Sequence, residues 1–174
     1  QFSEIKLTQF YGIELDDFAH EVAMLSLWLA EHQMNLEFYK AFGRTSPSLP
    51  LQNGGNIVHG NATRLDWEEV CPKNVGDEIY ILGNPPYLGQ RNQQKEHQLD
   101  MDFVFTGKIN YKNLDYIACW FLVASKYIAN ESNCKFAFVS TNSINQGTQV
   151  EMLWSHVFEL NLEIDFAHKS FKWQ

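Results

Sequence analysis

The sequence is poor in cysteine and shows no grouping of metal ligands. Its three cysteines, Cys71, Cys119 and Cys134, are widely spaced and form no Cys-x-x-Cys pair. Neither a disulfide framework nor a zinc site is therefore predicted. The six histidines form no His-Glu-x-x-His motif, so no metal cofactor is expected. This usage is typical of a reduced, cytoplasmic protein.

Long apolar runs and an excess of basic residues are also lacking. No apolar run approaches the ~18 residues that a membrane span needs, and residues 1–9 lack the basic and apolar regions of a signal peptide. Thirteen lysines and arginines stand against 21 aspartates and glutamates, which gives a formal net charge of −8. That sign is wrong for a segment that grips nucleic acid by general electrostatics. A DNA substrate would have to be held largely by other regions.

What the chain does have is a core-forming composition, with 45% apolar and 14% aromatic residues in 174. Short apolar runs alternate with stretches of helical spacing, which predicts an α/β fold with a doubly wound, mostly parallel sheet. Asp16 or Asp17 is placed to cap the first helix, which we expect to be buried. The predicted strands are residues 10–14, 56–61, 78–83, 135–140 and 162–168; the predicted helices are 15–35, 113–129 and 149–158; a surface loop covers 43–55.

Residues 88–112 are polar and show no sustained period. A segment of this length without secondary structure is uncommon in a compact domain unless it has a function. We therefore expect a loop that is mobile without substrate and becomes ordered when substrate arrives.

The most specific motif is Gly83-Asn84-Pro85-Pro86-Tyr87, directly after a predicted strand. Two prolines fix the backbone, so the Asn84 side-chain oxygen and the Pro85 carbonyl oxygen are presented rigidly and can both accept from one amino group. Tyr87 offers an aromatic face on which a planar group can stack. A rigid turn without function is the alternative reading.

This motif resembles the fourth motif of the S-adenosylmethionine-dependent amino-group methyltransferases, whose adenine N6 members carry it as Asn-Pro-Pro-Tyr. The resemblance implies that Asn84, Pro85, Pro86 and Tyr87 form the catalytic tetrad. It is closest to the methylase domains of large single-chain restriction and modification enzymes. The chemistry would need no general base, because the methyl group leaves a positively charged sulfonium.

The resemblance continues through the motifs that bind S-adenosylmethionine. Glu14, in Tyr-Gly-Ile-Glu-Leu-Asp, matches the acidic residue that accepts the ribose hydroxyls, and Leu15 would lie against the adenine ring. Glu14 could instead only help to cap the helix. Asn61 stands where the family usually has an aspartate that accepts from the cofactor's adenine amino group, and Asp66 is a competing choice. An amide oxygen can still accept, but without charge assistance.

The last two motifs concern the substrate base. Residues 140–147 match the sixth motif, in which Gln146-Gly147 is followed by a helix that contains Trp154. An equally good interpretation is a turn whose Ser, Thr and Asn side chains hydrogen-bond to its own backbone. Residues 164–173 are similar to the eighth motif, where Phe171 would stack on the extruded base opposite Tyr87. Trp173 is the other candidate for this stacking role. Alternatively, the aromatic residue only packs in the hydrophobic core.

The resemblance implies a Rossmann-like class I methyltransferase fold that is incomplete, with the first strand and the final hairpin absent. Residues 1–174 would then be a partial catalytic domain, from the second to the eighth motif, with no second domain. We expect the isolated fragment to be inactive. In the family, strand one lies between the strands that end at Glu14 and Gly83, so we expect these two strands to pair with another segment or copy, or directly with each other.

The implied activity is methyl transfer from S-adenosylmethionine to adenine N6 in double-stranded DNA, with base flipping, in a restriction and modification enzyme. Most DNA contact would lie outside this chain. Two alternatives remain open. One is a methyltransferase with the same tetrad that acts on protein glutamine or RNA, and the other is a non-catalytic assembly or DNA-binding domain.

Overall fold

A computed structural model describes residues 5–43, 54–131 and 133–171. The chain divides into two compact units, Gln1–Pro72 and Lys73–Gln174. The strands are β1 (Tyr11–Glu14), β2 (Asn56–His59), β3 (Ile79–Gly83) and β4 (Cys134–Phe138). The helices are α1 (Asp17–Phe42), α2 (Trp67–Val70), α3 (Lys95–Val104), α4 (Ala118–Ile128) and α5 (Thr148–Phe158). Most predicted elements are therefore present. Part of the predicted loop 43–55 lies outside the described residues.

The first unit is built on one parallel strand pair, β1 with β2, in a register that places Glu14 beside His59. The long helix α1 follows β1 and begins where Asp16 caps it, since the Asp16 carboxylate accepts from the Ala19 N–H at 2.9 Å. The helix ends at Phe42 and is capped by Gly43, whose left-handed backbone (φ 67°) suits glycine and whose N–H donates to the Tyr39 carbonyl. The prediction that Asp16 or Asp17 caps the helix is confirmed, with Asp16 in this role.

The expectation that α1 is buried is wrong for the described structure. None of its residues is buried, and Phe18, Leu25 and Leu29 are 77%, 51% and 52% exposed. The helix contacts β1 and β2 on one side, where His20 Nε2 donates to the Ile57 carbonyl at 3.1 Å. Apolar residues occur all round this helix, so one strand pair cannot cover them all.

The second unit contains the hydrophobic core. Strands β3 and β4 pair in parallel, with Gly83 beside Phe138. Helix α4 is the centre of the core, since eight of its residues are buried. Helices α3 and α5 pack against it. The largest fully buried side chains are Phe105, Leu114, Ile117, Leu122, Leu153, Cys119 and Ser125.

The prediction that residues 88–112 form an aperiodic loop is wrong. The segment contains a short 3-10 helix, Gln90–Asn92, and then helix α3. Met101, Val104 and Phe105 from this segment are buried in the core. The apolar residues of this helix are few among many polar ones, so no helical period was visible in the sequence. Asp100 is buried beside them and accepts a hydrogen bond from the Tyr116 hydroxyl at 2.7 Å, which offsets the cost of burying a carboxylate.

The predicted strand at 162–168 is also absent: this segment is irregular, and Ile164 and Phe166 are 52% and 71% exposed. Its alternation of apolar and polar residues suits a strand, but in the described structure it forms no hydrogen-bonded pairing with a neighbouring strand. The mixed α/β class with parallel pairing is confirmed. The described strands form two separate two-stranded sheets, so the option that the strands ending at Glu14 and Gly83 pair directly is wrong. No helix in the described ranges is long and apolar enough to cross a membrane.

Candidate functional site

In the first unit, the predicted cofactor residues follow the carboxyl ends of β1 and β2. Glu14 is the last residue of β1, and its carbonyl accepts from the Gly60 N–H at 2.8 Å. His59 Nε2 donates to the carbonyl oxygen of Leu15 at 2.9 Å. The structure thus fixes the backbone at both Glu14 and Leu15, while the Leu15 side chain is 68% exposed. Sequence reasoning missed His59, although its position at the end of β2 was a usable signal.

Asn61 and Asp66 differ in how their side-chain oxygens are used. The Asn61 Oδ1 accepts from the Thr63 N–H (2.9 Å) and from the Thr63 hydroxyl (2.7 Å), which closes a local turn. The Asp66 Oδ1 caps α2 by accepting from the Glu68 N–H at 2.9 Å. Asp66 is a carboxylate with a second oxygen, for which the described residues show no hydrogen-bond partner. These contacts do not test the predicted role, and Asn61 and Asp66 both stay candidates for the residue that accepts from an adenine amino group.

In the second unit, the tetrad follows directly after β3, and one of its four residues is buried. Pro85 is buried, while Asn84, Pro86 and Tyr87 are exposed. The Val139 N–H donates to the Gly83 carbonyl at 3.0 Å, which fixes the residue before Asn84. The arrangement anchors the backbone at Pro85 and leaves the amide of Asn84 and the ring of Tyr87, 41% exposed, available to a ligand.

A polar network joins the sixth-motif region to the start of α4. The hydroxyls of Thr141 and Ser143 are hydrogen-bonded to each other, and Ser143 Oγ donates to Asp115 Oδ2 at 3.4 Å. The Asp115 N–H donates to Gln149 Oε1 at 3.1 Å. Asp115 is only 4% exposed and was missed by sequence reasoning, because nothing in the pattern of the predicted helix 113–129 marks its carboxylate as a buried one. Trp154 Nε1 donates to the Ile144 carbonyl, which connects α5 to the segment 140–147.

Phe171 lies in the irregular segment that follows α5 and is 60% exposed. The residue before it, Ser170, accepts a hydrogen bond from the Asn142 side chain, just beyond the carboxyl end of β4. Lys135 on β4 pairs with Asp165 at 2.6 Å in the same segment. These contacts tie the segment to β4, the strand that pairs with β3 before the tetrad. Trp173 lies outside the described residues.

Metal chemistry finds no support in the part of the chain that the structure describes. No group of three or more His, Cys, Asp and Glu side chains there could hold a metal ion. Cys71, Cys119 and Cys134 are all free thiols.

Comparison with known proteins gives one consistent family. A family model described as "MmeI, DNA-methyltransferase domain" matches residues 1–174. The protein "DNA methyltransferase A" of Bacillus subtilis (strain 168) is 52% identical over 170 residues, which is 97% of this chain and 19% of that protein. Among solved structures, that of the Type IIL restriction-modification enzyme MmeI in complex with DNA aligns with 99% of this chain at 38% identity and a TM-score of 0.88.

The chain therefore spans about a fifth of the length of these relatives, since it covers 19% of the first and 23% of the second. The resemblance to methylase domains of large restriction and modification enzymes is confirmed. The roles of individual residues are not tested by these matches and stay predictions.

Proposed function

Because the chain belongs to the family of MmeI-type DNA-methyltransferase domains, we propose that it methylates the N6 amino group of adenine in DNA. It would do so as the methyltransferase part of a larger cytoplasmic restriction and modification enzyme. The observation that carries the proposal is that Asn84 and Tyr87 are exposed on either side of Pro85, which is buried just beyond the end of β3.

The first unit supplies groups that fit S-adenosylmethionine. Glu14 brings a carboxylate to the end of β1, where it can accept from two ribose hydroxyls, and Leu15 offers an exposed apolar side chain to the adenine ring. Asp66 or Asn61 accepts from the adenine amino group. When bound, S-adenosylmethionine supplies a methyl group activated by its positive sulfonium.

The second unit supplies the groups for the base. The target adenine leaves the duplex, which costs a few kcal/mol, and stacks between the exposed rings of Tyr87 and Phe171. Asn84 Oδ1 and the Pro85 carbonyl oxygen each accept a hydrogen bond from the N6 amino group. These two bonds orient the nitrogen lone pair toward the methyl group of S-adenosylmethionine. N6 would form a bond to the methyl carbon as the bond from that carbon to sulfur breaks, the electron pair of the broken bond would stay on the sulfur, and N6 would release one proton to solvent. Fixed acceptors act here by positioning and electrostatic preorganisation.

The direct test is the identity of the methylated product. The complete enzyme is incubated with S-adenosylmethionine carrying a labelled methyl group and with DNA, RNA or protein, and the digested products are separated by mass spectrometry. We expect label only in N6-methyladenine from DNA. A second DNA, in which every adenine already carries an N6-methyl group, is the matched control and should take up no label.

Each alternative gives a different result. Label in methylglutamine or in RNA would show that the tetrad serves another substrate. Label in a methylated cytosine would refute the choice of base. No label in any substrate, with cofactor and DNA both bound, would show a non-catalytic domain.

A further inference from the structure

Gln93 connects two separate segments of the second unit beside the tetrad. It follows the short 3-10 helix Gln90–Asn92 and is half-buried. Its side-chain Nε2 donates to the carbonyl oxygen of Leu88 at 3.0 Å and to that of Leu114 at 2.9 Å. Both hydrogens of the Gln93 amide group are thereby used on backbone oxygens.

Leu88 is the residue after Tyr87, and its carbonyl oxygen accepts a second hydrogen bond from the Tyr116 N–H at 3.0 Å. The Leu88 side chain packs against the hydrophobic core. The backbone just after Tyr87 is thus fixed by a side chain, a backbone amide and an apolar contact. At the other end, the Val139 N–H holds Gly83. The tetrad is therefore clamped on both sides, although the Tyr87 ring itself is exposed.

We infer that Gln93 is a positioning residue for the base, because it holds the Leu88 carbonyl and so fixes the Tyr87 ring on which the flipped adenine stacks. This inference rests on the proposed function. Loss of the two hydrogen bonds would let the backbone after Tyr87 shift, and small misplacements of positioning groups are costly in rate. Cofactor binding should be spared, because the predicted cofactor residues lie on β1 and beyond β2, in the first unit.

The test compares Gln93→Met with Gln98→Met in the complete enzyme. Methionine keeps the length of glutamine and removes both donors. Gln98 is exposed on α3, so its substitution makes the same chemical change away from the tetrad. Four quantities are measured: the single-turnover methylation rate, the KM for DNA, the Kd for S-adenosylmethionine, and the fluorescence of 2-aminopurine placed at the target position.

We expect Gln93→Met to lower the single-turnover rate by about tenfold to hundredfold, with Kd and KM close to those of Gln98→Met. The 2-aminopurine fluorescence should rise relative to the control, since a displaced Tyr87 ring quenches the flipped base less. Gln93→Glu, which also lacks both donors and sets a carboxylate against two carbonyl oxygens, should show a larger loss of rate in the same direction.

Other results overturn the inference. Equal rates and fluorescence for Gln93→Met and Gln98→Met would show that the two hydrogen bonds do not position the ring. A parallel loss of rate, cofactor affinity and melting temperature would show a merely structural role. If the wild-type enzyme makes no N6-methyladenine, the proposed function fails and this role for Gln93 fails with it; if it does and the two variants match, only this inference fails.

Discussion

Helices α1 and α4 are both rich in apolar residues, yet the structure treats them in opposite ways. Eight residues of α4 are buried, including Ala118, Cys119 and Leu122, whereas none of α1 is. Helix α4 packs against α3, α5 and β4, while among the described residues the main contacts of α1 are with β1, β2 and a neighbouring 3-10 turn. Helix formation in both follows from local sequence and capping, but burial depends on what packs against the helix. Apolar content alone therefore does not locate the core of this chain.

The largest effect is expected from a matched pair of leucine-to-alanine substitutions, which tests the difference in burial between α4 and α1. Leu122→Ala in α4 removes a side chain that is 1% exposed and should destabilise the second unit by about 2–5 kcal/mol, because it leaves a cavity. Leu25→Ala in α1 removes one that is 51% exposed and should cost well under half as much. Amide hydrogen exchange of the two helices measures each effect locally.

An equal loss of protection in both variants would break the comparison. It would show that the apolar side chains of α1 are covered in the protein in solution. A small loss for Leu122→Ala would instead deny that α4 is the centre of the core.

The next effect sharpens the functional contrast between the two units. Glu14→Gln removes the carboxylate assigned to the ribose hydroxyls and should weaken S-adenosylmethionine binding by roughly tenfold to a hundredfold, since hydrogen bonds to charged groups contribute about 1.5–3 kcal/mol. The turnover rate at saturating cofactor should change little. Calorimetric titration of the complete enzyme gives the affinity, with Glu31→Gln on α1 as control. An unchanged affinity would remove Glu14 from the cofactor site.

The smallest effect concerns a surface ion pair in the second unit. The hydrogen bond from Lys108 to Glu159, at 2.6 Å, holds the pKa of the Glu159 carboxyl below its usual value. A lowered pKa in the folded state stabilises the fold above the ordinary glutamate pKa, and this contribution is lost as the pH falls through the lowered value. Both side chains are partly or fully exposed, so the gain is small and is screened by salt.

Thermal unfolding checks this sign. Glu159→Gln should lower the melting temperature slightly near pH 7, and the difference from wild type should disappear in strong acid. Glu131→Gln, at an exposed glutamate, is the control. A difference that persists unchanged into strong acid would mean that the Glu159 charge is not its source.

Features with strong local signals could be predicted from the sequence. The Pro85-Pro86 pair ends β3 where expected, and Asp16 caps α1 as one of the two expected residues. Helix α3 was missed because its few apolar residues are outnumbered by polar ones, and Asp100 becomes acceptable in the core only through the Tyr116 hydroxyl. The strand predicted at 162–168 has the right alternation but no partner to pair with.

The site shows the same division. Glu14 and Asn84 could be placed at strand ends from the sequence, because each follows a clear apolar run. The contacts of Gln93 and Asp115 could not, since each depends on residues from distant segments meeting in the fold. The hydrogen bonds from Thr63 to the Asn61 side-chain oxygen also could not be predicted, because the sequence does not show which turn the backbone forms there.

The central claim is that the tetrad beyond β3 carries out methyl transfer, and Asn84→Ala tests it most directly. Asn84 is exposed, so its loss should not disturb the core. In the complete enzyme, we expect the single-turnover methylation rate to fall by about 10²–10³, with an unchanged affinity for S-adenosylmethionine. Asn92→Ala, at an exposed asparagine beyond the tetrad, should keep the wild-type rate. A rate for Asn84→Ala equal to that of Asn92→Ala would contradict the account.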